Sequence, residues 1–194
     1  MNQTQNRIIP CAVCGTRNRL PRERLAAGKC GKCGAPLVDP DDSAGRNETY
    51  VLRCGECGTR NKVPSTKIGQ AAKCGKCGAA IRTDDLLRSE PVMVSDLHFP
   101  AQVLKSPLPV LLFCWATWCP TCGAVAPVVD QLAAQWKGKI RVAKLNVDPN
   151  PMLAAKFDLR SVPTFLVFDH GQLKDTLVGG MPKEELVRRM APYL

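Results

Sequence analysis

Residues 110–122 read Val-Leu-Leu-Phe-Cys-Trp-Ala-Thr-Trp-Cys-Pro-Thr-Cys. This stretch opens as an uninterrupted apolar run, Val110 to Ala116, the pattern of a strand covered on both faces. It closes on two cysteines, Cys119 and Cys122, separated by Pro120-Thr121. Beyond them, to about Trp136, the spacing of Val125, Val128, Val129, Leu132 and Trp136 predicts a helix, bent at Pro127. A helix N-terminus presents unpaired N–H groups and about half a positive charge. A cysteine placed there favours thiolate over thiol, and thiolate is the form that attacks disulfides. Cys122 follows one turn later, close enough to Cys119 to resolve a mixed disulfide. The stretch therefore predicts a redox dithiol at the junction of a buried strand and a helix.

Away from this centre the composition divides. Of 11 cysteines, eight precede residue 80, while the long apolar runs follow residue 90. The first 90 residues hold one aromatic, Tyr50, and few large aliphatics. Such a segment needs a staple, disulfide or metal. It also repeats itself. Cys11-Ala-Val-Cys14-Gly-Thr-Arg-Asn-Arg-Leu-Pro returns as Cys54-Gly-Glu-Cys57-Gly-Thr-Arg-Asn-Lys-Val-Pro. Lys29-Cys30-Gly-Lys-Cys33-Gly-Ala returns as Lys73-Cys74-Gly-Lys-Cys77-Gly-Ala. Each copy is Cys-x-x-Cys, a gap of 15 or 16 residues, and Cys-x-x-Cys, which is zinc-ribbon spacing. The glycines after the knuckles, Gly15, Gly34, Gly58 and Gly78, permit the tight turn that points two sulfurs to one side. Two facing knuckles complete a closed Cys₄ site. The expected ligand sets are Cys11, Cys14, Cys30 and Cys33 for one Zn²⁺, and Cys54, Cys57, Cys74 and Cys77 for a second. Closed sites are structural and leave no position for substrate. Arg19-Leu20-Pro21 and Lys62-Val63-Pro64 are expected as strand ends, Leu25 or Ile68 as an apolar plug, and Leu37 and Ile81 as packing on the second knuckle.

The net charge is +10, from 27 Lys and Arg against 17 Asp and Glu. Thiolates around two zinc ions offset part of the excess in the first half. The ribbons lack the stacking aromatics that single-strand nucleic-acid binders use, so nucleic acid is not the expected partner. The first residues are polar and carry no signal-like apolar segment, and no apolar run approaches a membrane span. The expected location is cytoplasmic, where thiols stay reduced and metal is favoured over structural disulfides.

From Pro91 onward the pattern is that of a small α/β domain. Expected strands lie at Val92–Val94, Pro109–Ala116, Ile140–Val147, Thr164–Phe168 and Leu173–Val178, the last two joined around His170-Gly171. Expected helices run from Ser95 to about Lys105, split at Pro100, then over 120–137, Met152–Phe157 and Pro182–Met190. This order predicts a mixed sheet with helices on both faces. The domain division expected is 1–42 for the first ribbon, 43–90 for the second with its linker, and 91–194 for the redox domain.

These motifs together resemble the thioredoxin family. Phe113 to Cys122, Ala126-Pro127, Lys144-Leu145-Asn146-Val147-Asp148, Ser161-Val162-Pro163-Thr164 and Val178-Gly179 match its strand, active-site loop, kinked helix and proline loop. Residues 8–38 and 51–83 each resemble the zinc-binding extension of the thioredoxin 2 branch, which typically has one copy. The resemblance implies a protein-disulfide reductase in which Cys119 attacks and Cys122 resolves. Trp118, Pro120 and Thr121 would shape the site. Lys144 would lie beside it, Pro163 would be cis, and the Val162 backbone would pair with the substrate chain. Disulfide-containing proteins would be the substrates and thioredoxin reductase the electron donor. Two positions depart from the family. Pro120-Thr121 stands where Gly-Pro is usual, and Phe113 stands where a buried Asp is usual. A different class of function is also open: a binding module whose ribbons dock a partner on a thioredoxin-fold scaffold, or a redox switch in which oxidation of the ribbon thiolates releases zinc.

Overall fold

The computed structural model describes residues 6–10, 16–21, 28–34 and 49–194. The chain forms two compact units, residues 1–47 and 48–194. In the first, strands β1 (Asn6–Pro10) and β2 (Arg17–Pro21) pair antiparallel. Cys11, Cys14, Leu25, Leu37 and the turn-rich segment 40–47 lie outside the described residues.

The second unit begins with the other repeat. Strands β3 (Thr49–Arg53) and β4 (Arg60–Pro64) form a hairpin, and β5 (Ala72–Lys73) pairs with β6 (Ala80–Ile81). Gly58 and Gly78 both sit at positive φ directly after their knuckles, as the turn requires. Leu52, Val63, Ala72 and Ile81 are buried together with Cys54 and Cys74.

The remainder is a five-stranded mixed sheet. Its strands are β7 (Val92–Val94), β8 (Val110–Trp115), β9 (Arg141–Asn146), β10 (Thr164–Asp169) and β11 (Gln172–Val178). They lie in the order β11-β10-β8-β9-β7. β7, β8 and β9 run parallel, and β10 and β11 are antiparallel. The fully apolar sequence of β8 follows from its central place, since five of its six residues are buried.

Three helices complete the domain: α1 (Pro120–Gln135), α2 (Pro151–Lys156) and α3 (Lys183–Met190). Val125, Val129 and Leu132 of α1 and Leu186 and Met190 of α3 pack with Leu111, Phe113, Phe165 and Val167 on one face of the sheet. Leu153 of α2, with Phe99 and Val103, packs with Leu112, Cys114, Leu166 and Phe168 on the other. Between β7 and β8 the chain forms a short turn after Ser95 and then a π-helical turn, Pro100–Leu104, rather than one helix. Proline has no N–H to give an ordinary helical bond, and the Lys105 N–H reaches back five residues to the Pro100 carbonyl. The Ser95 hydroxyl bonds His98 Nδ1.

Candidate functional site

Strand β8 ends at Trp115, and the Cys119 N–H bonds the Ala116 carbonyl at 3.3 Å, which folds the loop into the start of α1. Cys119 is the N-cap. Its Sγ accepts the Cys122 N–H at 3.1 Å. Pro120 occupies the first helical position, where a missing N–H costs nothing. Cys119 and Cys122 are joined as a disulfide across a Cα separation of 5.3 Å. Both are buried, Cys119 at 8% exposure and Cys122 at 2%, so Cys119 is the more exposed residue of the pair.

The peptide bond Val162-Pro163 is cis, as the resemblance implied. It brings the Val162 carbonyl to 3.5 Å from Cys119 Sγ. The Pro163 carbonyl accepts the Gly179 N–H, which ties this loop to the end of β11. Gly180 lies against Thr121 and Val125, and a side chain there would press on the Thr121 methyl. Trp118 is 67% exposed, and its indole N–H donates to Asp148 Oδ1 at 2.9 Å, while Thr117 Oγ1 donates to the other oxygen.

Behind the dithiol the interior is aromatic. Phe113 is 1% exposed and packs on Phe165, ring centroids 5.2 Å apart, in the same cluster as Cys119 and Cys122. Lys144 is its register partner on β9, and Lys144 Nζ pairs with Asp130 Oδ1 of α1 at 2.6 Å. The sequence pointed to Lys144 but not to Asp130, whose place two turns beyond Cys122 on α1 was the available signal. Cys114 points to the opposite face of the sheet, and burial pushes its thiol up to about 12, which keeps it neutral and inert.

The second cysteine cluster lies in the ribbon of residues 49–81. The sulfurs of Cys54, Cys57, Cys74 and Cys77 all lie within 4.8 Å of one another. Such a set fits a soft, tetrahedral divalent ion. The N–H groups of Cys77 and then Lys76 hold the Cys74 thiol down to about 6. The Ala79 N–H favours the Cys77 thiolate too, yet the sulfurs of Cys57 and Cys54 push that group up to about 12. Four sulfurs this close cannot all ionise without a cation among them. Asn61 braces the cluster, donating to Cys74 Sγ and to the Thr59 carbonyl and accepting the Gly75 N–H. The first copy repeats this brace, with Asn18 bonded to Thr16, Cys30 and Gly31. Asparagine at this position was not singled out from the sequence, although it recurs in both copies. Cys30 and Cys33 are described, while Cys11 and Cys14 are not.

Sequence comparison agrees with this geometry. The thioredoxin family model matches residues 90–192. The chain belongs to the thioredoxin family. The model of the N-terminal region of thioredoxin 2, a zinc ribbon, matches twice, at residues 10–35 and 53–79. Among curated relatives, a thioredoxin of Synechocystis is 48% identical over 101 residues, which is 52% of this chain and 94% of that protein. Thioredoxin 1 of Nostoc is 44% identical over 106 residues, 55% of this chain and 99% of its own length. A chloroplastic M-type thioredoxin of Chlamydomonas reinhardtii is 39% identical over 124 residues. This chain is accordingly a thiol-disulfide oxidoreductase, a disulfide reductase with zinc-ribbon sequences at its N-terminal side. Among the described residues no helix is long and apolar enough to cross a membrane.

Proposed function

We propose that the protein is a cytoplasmic reductase of protein disulfides, with Cys119 as nucleophile and Cys122 as resolving thiol. The observation that carries this assignment is the placement of Cys119 Sγ, at the N-cap of α1 and beside the cis Val162-Pro163 loop. The Cys122 N–H, which donates to Cys119 Sγ, and the helix N-terminus behind it stabilise a negative sulfur. The Cys119 thiolate attacks one sulfur of a substrate disulfide. An S–S bond to Cys119 forms, and the second substrate sulfur leaves as thiolate. Cys122 then loses its proton and attacks Cys119 Sγ. The substrate's first sulfur leaves, Cys119–Cys122 closes, and two electrons have passed from the dithiol to the substrate. The disulfide in the structure is the end point of that cycle. Trp118 and Val162 flank Cys119 and bind the substrate chain, Val162 through its main chain. Pro120 and Thr121 set the loop, and Lys144 holds Asp130 of α1 against the sheet.

The chain draws its electrons from thioredoxin reductase and acts on disulfide-bearing proteins. Two Zn²⁺ ions are held, one by Cys11, Cys14, Cys30 and Cys33 and one by Cys54, Cys57, Cys74 and Cys77. They supply structure alone, since each donor set is complete with four sulfurs. Insulin reduction with NADPH and thioredoxin reductase tests the assignment. Cys119→Ser is expected to abolish turnover, and Cys122→Ser is expected to stop at a stable mixed disulfide. Full turnover in Cys119→Ser overturns it.

A further inference from the structure

The two ribbon copies are alike at their cysteines and different where the second meets the redox domain. The second copy is seated on the start of β8 and the turn between β10 and β11. The Arg53 N–H donates to the Pro107 carbonyl at 2.9 Å, and the Arg53 guanidinium pairs with Asp169 at 2.8 Å, both side chains largely buried. Glu56 pairs with Lys105 at 2.7 Å. A Cβ at Gly55 would meet the Lys105 backbone at 3.0 Å, and one at Gly58 would overlap the His170 ring. Tyr50 lies against Gly138. Leu108, from the loop that leads into β8, is buried in the ribbon's own core beside Leu52 and Cys54. The ribbon therefore does not close its core alone; it borrows Leu108 and Leu86 from the chain that follows.

The repeat alignment puts Arg7 opposite Tyr50, Pro10 opposite Arg53, Ala12 opposite Gly55 and Val13 opposite Glu56. The last three of these replacements each remove a seating contact. Proline has no N–H for the Pro107 carbonyl and no guanidinium for Asp169. Alanine adds the Cβ that the Lys105 backbone excludes. Valine cannot pair with Lys105. The ligand residues, the brace asparagine and the Gly after each knuckle are retained in both copies. The differences thus fall on the seat and spare the metal site.

We propose that the second metal site is a clamp on the redox domain, whereas the first copy lacks the residues to make that coupling. The proposal rests on zinc occupying both sites. Metal in the second site holds the Cys54–Cys57 knuckle in the shape that carries Arg53, Gly55, Glu56 and Gly58 to β8 and the β10–β11 turn. Removing it releases the plug at Leu108 and the pair at Asp169. Removing metal from the first site leaves these contacts untouched.

The three tryptophans, Trp115, Trp118 and Trp136, all lie in the redox domain, so their fluorescence reports its melting alone. Cys33 and Cys77 are equivalent exposed ligands of the two copies. In the full-length chain, Cys33→Ser and Cys77→Ser are each expected to lose about half the bound zinc. Cys77→Ser is expected to lower the tryptophan melting temperature by about 5 °C or more, and Cys33→Ser by no more than about 1 °C. A second variant carries first-copy residues in the seat, Arg53→Pro, Gly55→Ala and Glu56→Val. It is expected to keep its zinc and to melt at a temperature no longer changed by a chelator. Two bound zinc ions with equal melting in the two serine variants overturns the clamp alone. A chain that binds no zinc overturns both the clamp and the metal assignment.

Discussion

Phe113→Asp restores a carboxyl group where the family usually has one, and it separates the cost of that group from its benefit. The cost follows from burial. Phe113 is 1% exposed and packed on Phe165 in the centre of the sheet. Truncating a buried phenylalanine costs about 3–5 kcal/mol, and an imperfectly paired buried acid adds about 1–3 kcal/mol. Lys144, adjacent on β9, can turn from Asp130 to the new group and recover part of this. The benefit follows from proton transfer. An unperturbed thiol is about 3% thiolate at pH 7, and a base that fully ionised a thiol of that kind would speed its attack by about 30-fold. The lower nucleophilicity of a more acidic thiol reduces that figure, and about 10-fold is expected. Stopped-flow mixing of the reduced protein with excess 5,5′-dithiobis(2-nitrobenzoate) resolves the two steps. The first release of thionitrobenzoate depends on reagent concentration and reports Cys119. The second does not and reports Cys122. The second step is expected to accelerate at pH 7 and to converge with the parent above pH ~9. An unchanged second step in a variant that still shows cooperative tryptophan melting refutes the reasoning that Phe113 withholds a base from Cys122.

Other expectations follow from the same structure. Asn61→Ala removes a donor to Cys74 and an acceptor for Gly75. It is expected to weaken zinc binding by about 10-fold, measured by competition with a chromogenic chelator, with Asn18→Ala doing the same for the other site. Trp118→Ala is expected to change stability by no more than about 0.5 kcal/mol, because the ring is exposed, while raising KM for insulin. Cys114 is held protonated to about 12 in the fold but ionises near 8.5 in the unfolded chain. Its contribution to stability is complete below the unfolded value and is lost as pH rises from there. Urea denaturation between pH 9 and 11 is expected to show a decline of about 1.4 kcal/mol per pH unit from this group, absent in Cys114→Ala.

What could be read from the chain before its structure were the features carried by neighbouring residues. The apolar run of β8, the periodicity of α1 and the cysteine spacing of the second copy are local, and each appears where the pattern placed it. The proline loop was legible only through resemblance, since Val162-Pro163 by itself is an ordinary dipeptide. Contacts between distant residues were not legible. Arg53 and Asp169 are separated by 116 residues and Arg141 and Asp85 by 56, and no spacing rule links such pairs. His170 carried no signal at all as a lone histidine in a hairpin turn, yet its ring fills the space that glycine leaves at position 58. The helical segment after Ser95 is split at Pro100, as that proline indicated, but the π form of its second part depends on how Phe99 and Val103 reach the core.

The pairing of β8 with β10 sets Thr164 against Cys114 at one end and Phe168 against Val110 at the other. Reacting sulfur lies past the first end and the second ribbon contacts the other, about 14 Å of strand away. A side chain exchanged in the second ribbon's seat therefore acts at one end of β8 while the geometry around the reacting atoms stays as it was. The dithiol and the seat of the second ribbon thus occupy opposite poles of the same two strands.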